Sequence, residues 1–154
     1  MVYISLCQSV LNYCIVVWGV AHKTHLLKLE RAQRAILKIA YSKPRRYPTD
    51  DLYSECRFLR VRQLYISATI VLFHRQAKFH ARTSYRSLKW DCPKIRTSFA
   101  RRSSHYMGPY LYTKIYKINN NILNMIRSRC RFTVHEWLLS RSYDKTETLF
   151  ETDK

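Results

Sequence analysis

The sequence predicts an all-α fold: a small irregular bundle of about four to six helices with one long basic connector. Three observations point there. Apolar residues recur at three- and four-residue spacing in several separate stretches, the period of a helix. The chain has 154 residues, 47% of them hydrophobic, which is enough for one core. It holds only two glycines and four prolines, too few for a disordered chain.

Taken in order, Tyr3, Cys7, Val10, Cys14 and Trp18 repeat helically over residues 3–18. Leu6, Leu11 and Ile15 widen that stripe, so the first helix is expected to be buried on most sides, with Gly19 as its stop. Its uninterrupted apolar run, Tyr13 to Ala21, is shorter than the ~18 residues of a membrane span. No basic residue precedes it, so it lacks the first region of a signal peptide. Thr24 is the expected cap of the second helix. Leu29, Ala32, Ile36, Ile39 and Ala40 form its expected buried stripe, and Lys43-Pro44 ends it. Pro48-Thr49-Asp50-Asp51 opens a short helix to about Cys56, with its acids in the first turn.

Val61 to Phe79 reads as a longer helix; its β-branched run leaves a strand open, and length favours the helix. Residues 80 to 104 are rich in Ser, Thr and Arg and keep no period, as a basic connector with disordered parts would. Tyr106 to Lys117 returns to an apolar pattern around Gly108-Pro109, with strand content open. A break at "INNNI" precedes a final amphipathic helix over Arg129 to Ser142 and a short acidic one. The expected division is a helical region at 1–80, a connector at 81–104 and a C-terminal helical region at 105–154.

Charge is the strongest bulk signal. Twenty-eight Lys and Arg against ten Asp and Glu give +18 and a pI near 10.1. Four of the acids lie in the last eleven residues, and Asp91 is the only acid from Cys56 to His135. Such a chain repels itself, and an anionic partner relieves the repulsion. Nucleic acid is the first candidate and an anionic membrane surface the second. The five cysteines form no CxxC and are odd in number, which argues for reduced thiols in a nuclear or cytoplasmic protein that is not secreted.

No catalytic template fits. Glycines only at 19 and 108 exclude a phosphate loop. His135-Glu136 starts like HExxH, but Leu139 stands where the second histidine must be. His22 and His25 have ligand-like spacing with no Cys or acid nearby to complete a site. Asp50-Asp51 is better explained as a helix start than as a two-metal centre. The chain is therefore expected to carry no catalytic residues, metal or cofactor.

The basic features survive. At about 100° per residue, Lys28, Arg31, Arg34 and Lys38 fall opposite the apolar stripe of the second helix. The loop adds Lys43, Arg45 and Arg46, with Tyr41 and Tyr47 available to stack on bases. Arg101-Arg102 and Arg127, Arg129, Arg131 are further patches. A charged helix face is ordinarily just a solvated one. Here only Glu30 interrupts it, so RNA, DNA or an RNA–DNA hybrid is expected to bind through its phosphate backbone, without base reading. The alternatives are a helical protein-interaction module and an interfacial membrane binder using Trp18 and the basic helix.

The ordered pieces "LCQSVLNYCIVVWG", "LLKLERAQRAILKI", "RYPTDDLYSECRFLRVRQLY", "ARRSSHYMGPYLYTKIY" and "HEWLLS" carry a resemblance. Together they resemble the C-terminal, post-palm part of jockey-type non-LTR retrotransposon reverse transcriptases. The similarity covers most of the chain and is weakest from about Ala81 to Thr97. It implies a thumb-like region of an RNA-directed DNA polymerase that holds template–primer. The family's catalytic aspartates lie upstream of the matched part and have no counterparts here. The resemblance thus implies a truncated element or gene-model fragment, with the upstream polymerase domain as a further partner.

Overall fold

The computed structural model describes residues 3–83, 90 and 92–150. Among these the chain is all-α, with no strand. Nine α-helical segments appear, above the expected four to six, and five of them run to eight residues or more. No helix among the described residues is long and apolar enough to cross a membrane.

The centre is α5 (Val61–Thr83). From Val61 to Val71 every residue is buried except the half-buried Ala68. A helix surrounded on all sides must be apolar all round, which is why this stretch mixes helical spacing with a β-branched run. Packed on it are α7 (Ser104–Ile118), α8 (Arg127–Leu139), α2 (Ile15–Trp18) and α3 (Lys23–Ala40). From α7 come Met107, Leu111 and Ile115, and from α8 Cys130, Val134 and Leu138, each set at helical spacing. A second, smaller cluster of Tyr3, Leu37, Leu52, Tyr53 and Cys56 ties the N-terminal segment to α3 and α4 (Thr49–Cys56).

Buried polar side chains bond across elements. The His74 ring donates from Nε2 to the Met125 carbonyl (3.1 Å) and accepts at Nδ1 from the Tyr112 hydroxyl (2.7 Å). Gln63 donates to the Leu138 carbonyl (3.0 Å) and accepts from the Arg60 amide (3.1 Å). Such groups are tolerated inside because their hydrogen bonds are made.

The expected first helix is not continuous. A π-turn (Ile4–Gln8) leads into α1 (Ser9–Asn12), then Tyr13 is extended and Cys14 left-handed (φ 49°) before α2. The Trp18 indole donates to the Tyr13 carbonyl (2.7 Å), taking an acceptor that a continuous helix would give to a backbone amide. The buried stripe fails accordingly: Val10 and Cys14 are exposed, Cys7 and Trp18 half-buried, and only Tyr3 and Ile15 of the set are buried. Gly19 does close α2, yet in ordinary right-handed geometry. Its requirement is space, since a Cβ there would run into the Tyr65 ring.

Two helix ends differ from expectation. The N-cap of α3 is His22, whose Nδ1 accepts from the Thr24 amide (3.4 Å), so Thr24 is capped rather than capping. The C-terminus closes by paired bonds from Ser42 N to Ile39 O (3.1 Å) and Lys43 N to Lys38 O (2.8 Å), with Ser42 left-handed. That is a Schellman closure made without glycine.

The described part of the expected connector packs onto the fold. It contributes α6 (Ser98–Arg101), α7 already begins at Ser104, and the segment is pinned by Trp90. That ring is buried edge-on against Tyr112 (4.9 Å) and Tyr116 (5.3 Å). Residues 84–89 and 91 lie outside the described residues. Residues 106–117, where strand was open, are helical despite Pro109 inside α7. The "INNNI" break is a 3-10 turn (Asn120–Asn124), and the acidic end is α9 (Tyr143–Glu147).

Candidate nucleic-acid interface

The candidate interface begins with the orientation of α3. Leu26, Gln33 and Leu37 are buried and Glu30 half-buried, a line at helical spacing. The expected buried stripe lies outside: Leu29, Ala32, Ile36, Ile39 and Ala40 are exposed, Ile39 at 80%. Gln33 is the reason. Its amide donates to the Tyr3 hydroxyl (2.8 Å) and the Leu59 carbonyl (2.9 Å) and accepts from the Tyr53 hydroxyl (3.0 Å). One side chain thus joins the N-terminal segment, α3, α4 and the α4–α5 link. The helix turns its polar hub inward and presents two outer sectors, one apolar and one basic.

Lys28 and Arg31 are exposed on the basic sector. Arg34 is half-buried and donates to the Thr49 hydroxyl (3.1 Å). Lys38 donates to the Arg45 carbonyl (2.6 Å), which holds the loop against the helix and brings Arg45 and Arg46, both exposed, beside it. Lys43 is neutralised: its ammonium lies 2.5 Å from Glu55 and over the Tyr47 ring (4.6 Å). Tyr47 donates its hydroxyl to the same carboxylate. Those bonds push the Lys43 and Tyr47 pKa values up and hold the Glu55 carboxyl below its ordinary range. Tyr47 is therefore occupied, while Tyr41 is exposed with its ring edge toward Phe58 (6.4 Å).

Of the nine candidate cations, Lys43 alone is ion-paired among the described residues. Balance comes from a cleft of about 530 Å³ beside the helix, where Arg31, Arg34 and Arg60 share the walls with Glu30, Asp50 and Asp144. Arg60 is ion-paired with Asp50 and stacks over the Tyr53 ring (4.9 Å). Burial pushes the Glu30 carboxyl up, opposed by a hydrogen bond from the Arg62 backbone and by the nearby Arg60 charge. The inner edge of the basic sector is thus mixed in sign, and its outer edge, Lys28 with Arg45 and Arg46, is cationic.

Arg101 and Arg102 sit elsewhere, on α6 and its C-terminal cap. Arg101 donates to the Ile95 carbonyl (3.4 Å), and the Arg102 carbonyl accepts from the Tyr65 hydroxyl (2.6 Å). Sequence reasoning missed Arg60, Tyr53 and Asp144 as members of the cleft. They come from the α4–α5 link, α4 and α9, and no local spacing marks them. Trp18 is half-buried against the main core, with its indole N–H bonded to the Tyr13 carbonyl.

Two of the five cysteines, Cys56 and Cys130, are buried; Cys7 and Cys92 are half-buried and Cys14 is exposed. Set against known proteins, the chain matches no family model, no curated protein and no solved structure.

Proposed function

We propose that this chain binds the sugar–phosphate backbone of RNA, DNA or an RNA–DNA hybrid through the outer basic sector of α3 and the 43–46 loop. On this reading it serves as the thumb-like, template–primer-holding region of a retrotransposon RNA-directed DNA polymerase, with the chemistry supplied by another domain. The observation that carries it is the set of exposed cations Lys28, Arg31, Arg45 and Arg46, of which Arg31 alone also borders the mixed-sign cleft. All four are exposed and without an ion-pair partner among the described residues, on a chain of net charge +18. Uncompensated cations repel one another in the free protein, and phosphates remove that cost while releasing counterions. The ordered sequence pieces that resemble the reverse-transcriptase tail support the choice of ligand.

The test is titration of a labelled RNA–DNA hybrid at low salt with the parent chain and a variant carrying Lys28→Gln, Arg31→Gln, Arg45→Gln and Arg46→Gln. A loss of a hundredfold or more in affinity is expected, since each phosphate contact contributes a sequence-independent share. Equal affinity would refute the assignment.

A second reading has its own observation. Leu29, Ile36 and Ile39 form an exposed apolar sector next to the cations. Such a sector suits a protein neighbour, and the polymerase domain that the resemblance implies is the one this reading selects.

A further inference from the structure

A second cationic surface, made by the segment around α6, is built differently from the α3 face. Lys94, Arg96 and Arg101 share the walls of a cleft of about 540 Å³ with the half-buried Tyr106. Among the described residues no carboxylate lines it, in contrast to the mixed-sign cleft beside α3. None of the three cations has an ion-pair partner among the described residues, and Lys94 and Arg96 are exposed. The sequence places no acid from Cys92 to His135, so no neighbour along the chain offsets them.

Between Arg96 and Arg101 the α6 turn carries Phe99, which is 70% exposed. Its ring is open to a flat partner, the arrangement in which an aromatic face gains most. The backbone that presents it is held in place. The Thr97 hydroxyl accepts from the Ala100 amide (3.3 Å) and so caps the turn. The Arg101 guanidinium donates to the Ile95 carbonyl (3.4 Å), and the Arg102 carbonyl accepts from the Tyr65 hydroxyl (2.6 Å) of α5. Tyr106 is braced in turn by stacking on Tyr110 (6.1 Å). A surface already held in one geometry gives up little freedom when a ligand arrives.

Two requirements follow for an occupant: successive anions for the cations, and a flat face for Phe99. A duplex supplies the anions but closes its base faces inside the stack. An acidic peptide supplies anions without flat faces. A bilayer is broad and level, and cations set on the walls of a cleft meet it poorly. An unpaired strand supplies both, because its bases are open to stack while its backbone follows the cations. We propose that the cleft and α6 together hold a single-stranded stretch of RNA or DNA, its phosphates on Lys94, Arg96 and Arg101 and one base on Phe99. The inference goes beyond the α3 face, which acts on sugar–phosphate charge alone, and stands on different residues.

The experiment is fluorescence anisotropy of the full chain with a short labelled single strand, an abasic sugar–phosphate strand of the same length and a blunt RNA–DNA hybrid. Phe99→Ala is expected to weaken the single strand by roughly tenfold, the loss of one stacked base, and to leave the abasic strand and the hybrid unchanged. Phe99→Leu keeps apolar bulk without the ring and is expected to weaken the single strand as well. Far-UV circular dichroism checks that both variants fold. Lys94→Gln with Arg96→Gln is expected to weaken the single and abasic strands alike. It should also make the slope of log affinity against log salt shallower by about 1.4, near 0.7 per contact on a single strand. In a chain that also carries Arg31→Gln and Arg45→Gln the Phe99 effect is expected to persist, so the two surfaces fail separately. An unchanged single-strand affinity in Phe99→Ala, an equal loss on the abasic strand or the hybrid, or full affinity in Phe99→Leu would overturn the inference. Co-sedimentation with phosphatidylserine vesicles that falls in Phe99→Ala while single-strand affinity holds would assign the surface to a bilayer and overturn it too.

Discussion

Replacing Gln33 by methionine tests the orientation of α3, on which both outer sectors depend. Gln33 is 2% exposed and satisfies three polar groups: the Tyr3 hydroxyl, the Leu59 carbonyl and the Tyr53 hydroxyl. Methionine keeps the length and removes every polar atom. Each buried group left unpaired costs about 1 kcal/mol at the low end of its range, so three cost about 3 kcal/mol or more. Burying the thioether in place of the amide returns roughly 1 kcal/mol. The expected net loss is about 2–4 kcal/mol. With a urea slope near 2 kcal/mol/M for a small protein, the unfolding midpoint should fall by about 1–2 M with the slope unchanged. Ile39→Ser is the companion. At 80% exposed, Ile39 should tolerate serine within about 0.5 kcal/mol. The opposite order, a neutral Gln33→Met and a costly Ile39→Ser, would mean that the apolar stripe faces the core and that the orientation of α3 is wrong.

Three further outcomes are expected. Gly19→Ala should cost about 1–3 kcal/mol through overpacking against the Tyr65 ring, seen as a lower urea midpoint; a neutral result would show that α2 and α5 do not approach so closely. Trp90→Ala should cost about 3–5 kcal/mol, because the ring is buried against Phe73, Tyr112 and Tyr116. Full stability in that variant would unpin the connector. Burial, helped by the Lys78 charge and opposed by the Met125 carbonyl, holds the His74 pKa below its ordinary 6.5. The folded state therefore favours the neutral ring. As pH falls through about 6.5 the unfolded chain takes up the proton first, so this contribution is complete above that pH and declines below it until the folded pKa is passed. Urea midpoints at about pH 7.5 and about pH 5.5 should differ more for the parent than for His74→Gln; identical differences would remove His74 from the core.

Where the helices run was largely legible, because α4, α5 and α8 follow periodicity and length that local sequence carries. Which way α3 faces was not. Periodicity ranks Leu29, Ile36 and Ile39 above a glutamine, whereas burial followed the hydrogen-bond partners that Tyr3, Leu59 and Tyr53 bring from other elements. The break at Tyr13–Cys14 was hidden for a related reason, since it depends on an indole reaching back to a carbonyl rather than on any proline or glycine. At the candidate interface the positions of the cations were readable and their neighbours were not. Lys43 meets Glu55 across a turn and a helix, and Asp144 reaches the α3 cleft from more than one hundred residues away in sequence. Charge counts along a chain do not report such pairings.

The salt dependence of hybrid binding tests the central claim most directly. The slope of log affinity against log salt should be shallower by about 3–4 when Lys28, Arg31, Arg45 and Arg46 are all changed to glutamine, near 0.9 per lost phosphate contact. Parallel lines for parent and variant would show that these four side chains touch no phosphate and would contradict the account.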